Sequence, residues 1–255
     1  AFPVERRYLP LAAHLRFDEA VAIATAELLR HESGSLLLFL PGVGEILRVQ
    51  EQLATRVGSD VVLCPLYGAL TLSEQRQAIV PAPQGKRKVV LATNIAETSL
   101  TIEGIRLVVD CAQERVARYD VRTGLTRLIT QRISQASMTQ RAGRAGRLEP
   151  GICLHLLAKE QAERAAAQGE AEILQSDLSG LLMELLQWGC TEPEQLNWLD
   201  TPPAINLQAA KRLLQMLGAL EGDRLSARGH KMAALGNDPR LAAMLVSTKN
   251  DDEAA

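Results

Sequence analysis

Ser35-Leu-Leu-Leu-Phe-Leu-Pro-Gly42 sets five apolar side chains in a row and then stops them with Pro-Gly. A run this short, with no polar face, reads as a strand buried on both sides. Its flanks decide the class. Residues 18–31 place Val21, Ile23, Ala24, Leu28 and Leu29 along a helical stripe, and residues 45–56 are helical again. The alternation continues with a strand-like run at 61–64, a helix-like run at 72–79, and buried strands at 88–92, 105–110 and 152–157. Short apolar strands alternating with amphipathic helices predict an α/β fold, a parallel sheet with helices on both faces. Ligands of such sheets sit beyond the carboxyl ends of the strands. Gly42 and the pair Thr93-Asn94 stand at two of those ends.

One insertion interrupts the alternation. Residues 115–120 and 125–131 are short runs joined through Val121-Arg122-Thr123-Gly124, which predicts a β-hairpin. After Gly169 the pattern becomes helical, at 178–186 and at 207–217, with Gly218 in the position that ends a helix. A tight hairpin around Gly222 follows, and Ser226 is placed to cap a further helix. Helix, helix, hairpin and helix in so short a span suggest a small, mostly helical winged-helix domain. A new helix starts at Asp238-Pro239-Arg240, where Pro suits the first turn. The expected domains are therefore 1–168, 169–237 and the opening of a third at 238–255. Residues 1–7 lack an initiator Met and run straight into a strand, and the last helix is cut short, so the sequence is expected to be a piece of a longer chain.

Composition narrows the class. The hydrophobic share of 47% is that of an ordinary folded protein. Cys64, Cys111, Cys153 and Cys190 form no C-x-x-C pair, and three of them sit in apolar runs, as small hydrophobes do. That usage fits a reducing cytoplasm, with no metal site expected. No apolar stretch nears the ~18 residues of a membrane span, and nothing resembles a signal peptide. The net charge of −2 hides a strong asymmetry: residues 84–164 carry 14 basic and 8 acidic side chains, whereas 165–255 carry 7 and 13. Within 115–147 stand eight arginines and a single acid, Asp120. Such a field is either a phosphate footprint or a solvated basic face, and the latter would more often mix in Lys and acids.

The densest part of that field is Gln140-Arg-Ala-Gly-Arg-Ala-Gly-Arg147. If helical throughout, it stacks Arg141, Arg144 and Arg147 on one face. Each glycine costs about 1 kcal/mol in a helix relative to alanine, a cost usually accepted where a backbone must come close to something. Guanidinium forks match phosphate oxygens, and an arginine finger neutralises charge developing in phosphoryl transfer.

This stretch resembles motif VI of superfamily 2 helicases. Thr93-Asn-Ile-Ala-Glu-Thr-Ser-Leu-Thr-Ile102 resembles motif V of their DEAH subgroup. Phe39-Leu-Pro-Gly42 with Glu45-Ile46 resembles motif IV, and Leu66-Tyr-Gly-Ala-Leu-Thr-Leu-Ser-Glu-Gln75 the motif after it. Order and spacing agree, and the flanks are closest to the bacterial HrpB-type branch. The resemblance implies a RecA-like second motor domain, then a winged helix that acts as a structural hub, then a helical ratchet-like domain. The parent would be an ATP-dependent RNA helicase that grips single-stranded RNA, acting as a monomer. Its ATP, or another NTP, and Mg²⁺ would be held mainly by a first RecA-like domain of the same chain. In keeping with that, no G-x-x-x-x-G-K-[ST] loop or D-E-A-H box occurs here. The alternatives are a DNA-directed relative and a scaffold without turnover; RNA-stimulated NTP hydrolysis by the longer chain separates them.

By the same resemblance Gln140 positions the attacking water, while Arg144 and Arg147 reach the nucleotide phosphates. Ser99, Thr101 and Glu103 lie by the nucleotide, with Glu103 where relatives commonly have Asp. Ile79 stands where relatives often stack an aromatic on the base; its other reading is simply the inward-packed end of a helix. Gly42, Thr93 and Asn94 line the RNA backbone, though Thr93 and Asn94 also read as a helix N-cap. Arg118, Arg122 and Arg127 would supply RNA contacts from the hairpin, or else only solvate it.

Overall fold

The computed structural model describes residues 1–236 and 238–252. Asn237 and residues 253–255, which close two of the expected domains, lie outside the described residues. The chain divides into two compact units, Ala1–Val116 with Thr130–Gly169, and Ala117–Ile129 with Glu170–Ala255.

In the first unit the order is β1 (Val4–Tyr8), α1 (Phe17–His31), β2 (Ser35–Phe39), α2 (Val43–Ala54), β3 (Val61–Leu66), α3 (Leu72–Ile79), β4 (Arg87–Ala92), α4 (Ile95–Thr98) and β5 (Ile105–Asp110). Then come the hairpin strands β6 (Gln113–Asp120) and β7 (Leu125–Arg132), α5 (Gln135–Gly143), β8 (Gly151–His155) and α6 (Lys159–Arg164). Six strands form one sheet in the order β1-β8-β5-β2-β4-β3, and every neighbouring pair is parallel. All five residues of β2 are buried, as expected of a central strand covered on both faces. Their alternation sorts them. Leu36 and Leu38 pack with Val21, Leu28, Ile46 and Val49 of α1 and α2. Leu37 and Phe39 pack on the other face with Ala78 of α3, Ala96 of α4 and Ala142 of α5.

Caps set where the helices begin. Thr71 and Glu74 form a reciprocal capping box on α3, and Ser134 accepts from the Ser137 amide at the start of α5. Lys88 opens a run read as apolar, yet it is buried. Its ammonium donates to the carbonyls of Ala78, at 2.7 Å, and Val80, closing the end of α3.

Motif VI departs from the expected continuous helix. α5 ends at Gly143 and a single 3-10 turn, Arg144–Gly146, follows. The cause is a close approach. A Cβ on Gly146 would lie 2.6 Å from the Phe2 carbonyl oxygen, and that same segment donates the Phe2 amide to Gly146 at 2.8 Å. The three arginines therefore do not share one face.

The second unit holds α7 (Ser179–Gln187), α8 (Ala204–Met216), the two-residue strands β9 (Leu220–Glu221) and β10 (Arg224–Leu225), α9 (Ala227–Ala234) and α10 (Pro239–Asp252). Leu182, Met183, Leu207, Leu214, Met232 and Val246 are in its core. Gly222 takes φ +61 at the tip of the small hairpin, and Ser226 caps α9 through the Gly229 amide, as expected. The tip of the larger hairpin clusters with this unit: the Tyr119 amide donates to the Gln175 carbonyl at 2.8 Å, and Arg240 donates to that of Gly124 at 3.1 Å. No described helix is long and apolar enough to cross a membrane.

Candidate functional site

The arginines of 140–147 have three different environments. Arg141 is fully buried. Its Nε donates to Glu97 at 3.1 Å, its Nη1 donates to Asp110 at 2.8 Å, and its guanidinium lies 4.8 Å from the centre of the Phe39 ring. Asp110 also accepts from the Ala112 amide at 2.8 Å and from His155 Nδ1 at 2.7 Å. Burial alone would push the Asp110 carboxyl up, but the His155 hydrogen bond and the Arg141 charge outweigh it and hold the group below the usual carboxylate range. Burial likewise works against Arg141, and the facing anions, Asp110 first, more than compensate.

Arg144 is nearly buried and binds backbone. Its Nε and Nη2 both donate to the Glu97 carbonyl, the former at 2.8 Å, and its Nη1 donates to that of Leu100 at 3.1 Å. Those carbonyls belong to the end of α4 and the residues after it, where helix carbonyls lack intrahelical partners. Arg147 is exposed, with Nη1 donating to Thr101 Oγ1 at 3.3 Å. Arg144 and Arg147 line one cleft of about 670 Å³ with Thr101, Glu103 and the apolar Pro81 and Ile102. Among the described residues no carboxylate forms an ion pair with either arginine. Burial first, and then the adjacent Arg147 charge, draw Arg144 below the ordinary arginine value, with Glu97 opposing them.

Four of the expected nucleotide-side residues thus converge. The others stand nearby or apart. Ile79 is half-buried at the last position of α3, and its carbonyl accepts from the Glu103 amide at 3.1 Å, while Pro81 is the residue that lines the cleft. Ser99 and Gln140 are exposed and do not line it.

Gly42 and Thr93 follow β2 and β4, adjacent strands whose ends pair Phe39 with Ala92, so they share the carboxyl edge of the sheet. Asn94 precedes α4 but makes no capping hydrogen bond, which leaves its side chain exposed at that edge. Gly42 is covered by a fork that sequence reading missed: Arg115 Nη2 and Nη1 donate to Glu45 at 2.6 and 3.1 Å. A Cβ on Gly42 would lie 2.2 Å from Arg115 Nη1. These two hydrogen bonds hold the Glu45 carboxyl below the usual range. Arg118, Arg122 and Arg127 belong to the second unit and are exposed. Arg118 stands 3.7 Å from Glu170, and Arg122 and Arg127 share Asp120 at 3.7 and 3.8 Å. Among the described residues no cluster of three His, Cys, Asp or Glu is arranged to hold a metal ion.

The chain is similar to known proteins over its whole length. Residues 19–149 match the family of the helicase conserved C-terminal domain. The chain is 86% identical over 255 residues to the ATP-dependent RNA helicase HrpB of Escherichia coli K12, covering all of this chain and 32% of that protein. It is 35% identical to an ATP-dependent RNA helicase HrpA homolog of Haemophilus influenzae, over 98% of this chain and 20% of the relative. A crystal structure of the E. coli DEAH/RHA helicase HrpB superposes with a TM-score of 0.97 at 85% identity, covering the whole chain here and 32% of that one. The chain therefore spans about a third of the length of the HrpB relative it matches.

Proposed function

Because this chain belongs to the family of the helicase conserved C-terminal domain, we propose that it is the second motor half of an HrpB-type, NTP-dependent RNA helicase. One observation carries the reading: Arg144 and Arg147 line a single cleft beside Thr101 with no carboxylate paired to either. Two guanidiniums over a floor that includes the apolar Pro81 and Ile102, with Glu103 to one side, fit a nucleotide polyphosphate presented from another domain. Mg²⁺, which would neutralise phosphate charge, is assigned with most of the nucleotide contacts to a first RecA-like domain of the full-length protein. Arg144 and Arg147 act as fingers on the β- and γ-phosphate side, Gln140 orients the attacking water, and Ser99, Thr101, Glu103 and Ile79 border the nucleotide.

Single-stranded RNA is the second ligand. Asn94, exposed, and Thr93, half-buried, face it at the carboxyl edge of the sheet beside Gly42, which lies beneath the Arg115–Glu45 fork, and Arg118, Arg122 and Arg127 add positive charge from the hairpin. The segment from Thr93 to Thr101 serves both ligands, so nucleotide state and RNA grip are coupled through it. Residues 1–168 form the motor domain, 169–237 the winged helix and 238–255 the start of a helical domain, in a monomeric cytoplasmic protein. The test is RNA-stimulated hydrolysis by the full-length protein. Arg147→Ala, whose side chain has little structural duty, should lower kcat about 10³-fold while RNA affinity without nucleotide stays put. Normal turnover by that variant would end the finger reading.

A further inference from the structure

Arg144 is held by the carbonyls of Glu97 and Leu100, so its position depends on where that backbone sits. Glu97 is itself tied down through its carboxylate, which accepts from Arg141 Nε and from the Ser137 hydroxyl. Behind Arg141 stands Asp110, and behind Asp110 stands His155. His155 Nε2 in turn accepts from Arg6 Nε at 3.0 Å, and Arg6 Nη1 returns to Thr139 on α5 at 3.3 Å. Three side chains of α5, Ser137, Thr139 and Arg141, are thus fastened by one network whose centre, Asp110, Arg141 and His155, is wholly excluded from water.

Stability alone does not call for this arrangement. Apolar residues of similar volume often replace buried ion pairs without loss, and α5 already packs through Met138 and Ala142. Arg141 even leaves its Nη2 without a partner, which costs about 1–3 kcal/mol for a buried donor. What the two carboxylates supply is direction. They fix the guanidinium in one orientation, and through it the Glu97 backbone that grips Arg144. Resting on the finger reading above, we infer that Asp110 and Glu97, acting through Arg141, are positioning residues that set where Arg144 stands for phosphoryl transfer.

The full-length protein tests this by a double-mutant cycle. Arg141→Lys, Glu97→Gln and Asp110→Asn are made in the wild-type and in the Arg144→Ala background, and kcat and KM for ATP are measured separately with RNA present. In the wild type each change should lower kcat about 10- to 100-fold, the scale of a 1 Å misplacement. KM should move by less than about twofold, because ground-state binding is not what the network sets. With Arg144 removed, the same changes should lower the residual rate by less than about twofold, because the guanidinium that the Glu97 and Leu100 carbonyls hold is gone. Equal losses in both backgrounds would overturn the inference and make the network a folding element. Should Asp110→Asn fail to fold, Glu97→Gln, which keeps the side chain's shape but loses its charge and one of its two accepting oxygens, decides the matter alone. If Arg144→Ala leaves kcat unchanged, the finger reading itself falls; if it abolishes turnover while the three changes do nothing, only this inference does.

Discussion

Gly143 and Gly146 stand three residues apart in the same arginine-rich stretch, yet an added methyl group meets different surroundings at each. On Gly146 it strikes the Phe2 carbonyl and Val4, at 2.6 and 2.7 Å, whereas on Gly143 nothing lies within 4 Å. Gly146→Ala should therefore destabilise the fold by about 1–3 kcal/mol, the range for overpacking. Gly143→Ala, at a helical φ of −59, should stabilise it by up to about 1 kcal/mol through helix propensity. Thermal melting of the two variants checks the contrast, and equal effects would contradict it. The neighbouring arginines divide in the same way. Arg144→Ala strips donors from the Glu97 and Leu100 carbonyls and should cost about 1–3 kcal/mol. Arg147→Ala removes one exposed contact to Thr101 and should stay within about 0.5 kcal/mol of wild type. A similar loss of stability in both would show that Arg147 has a structural duty that its single exposed contact does not reveal.

Elements separate what a sequence can show from what it cannot. The strands and longer helices were legible because their signal is local: β2 reads from five adjacent apolar side chains, and α3 from the helix-like run at 72–79. The 3-10 turn at Arg144 was not, since it depends on the contact of Gly146 with Phe2, 144 positions before it in the chain. Burial of Arg141 was hidden for the same reason. Helical spacing places it beside Arg144, while its partners Asp110 and Glu97 lie 31 and 44 residues off. The Arg115–Glu45 fork over Gly42 spans 70 residues and carries no local mark. The hairpin was legible, though not that its tip clusters with the second unit. Arg122 and Arg127 are exposed there and share Asp120, a kind of pairing worth little in water. Replacing Arg118, Arg122 and Arg127 together with Ala should therefore leave the melting temperature nearly unchanged. RNA affinity should fall, with its salt dependence flattened by a slope of about 0.7 per lost phosphate contact. An unchanged slope would make this a merely solvated hairpin.

Across the whole molecule, each of the two compact units has hydrophobic packing of its own, and each has its own partly or fully buried carboxylate anchor. In the first it is Asp110. In the second it is Asp177, where burial pushes the carboxyl up but hydrogen bonds from Ser179 and Arg240 bring it below the usual range. Both folded values thus lie below the unfolded one, about 3.9 for Asp. Their contribution to stability is fully present above that pH and is lost as pH falls through the folded values. Arg115 gives Glu45 the same direction, and its charge-assisted fork joins the first unit's acid-sensitive set. Calorimetry from pH 7 to about pH 3 should resolve two transitions, as separate cores permit, each moving down most steeply below about pH 4. The assignment follows from the variants. Asp177→Asn should lower only the second unit's transition at neutral pH and flatten its dependence on acid, because the asparagine cannot lose a charge that it never had. Asp110→Asn should do the same to the first unit, and more strongly, since it also takes from the buried Arg141 cation one of its two carboxylate partners. One transition that both variants shift equally would mean that the two cores unfold as a single cooperative body.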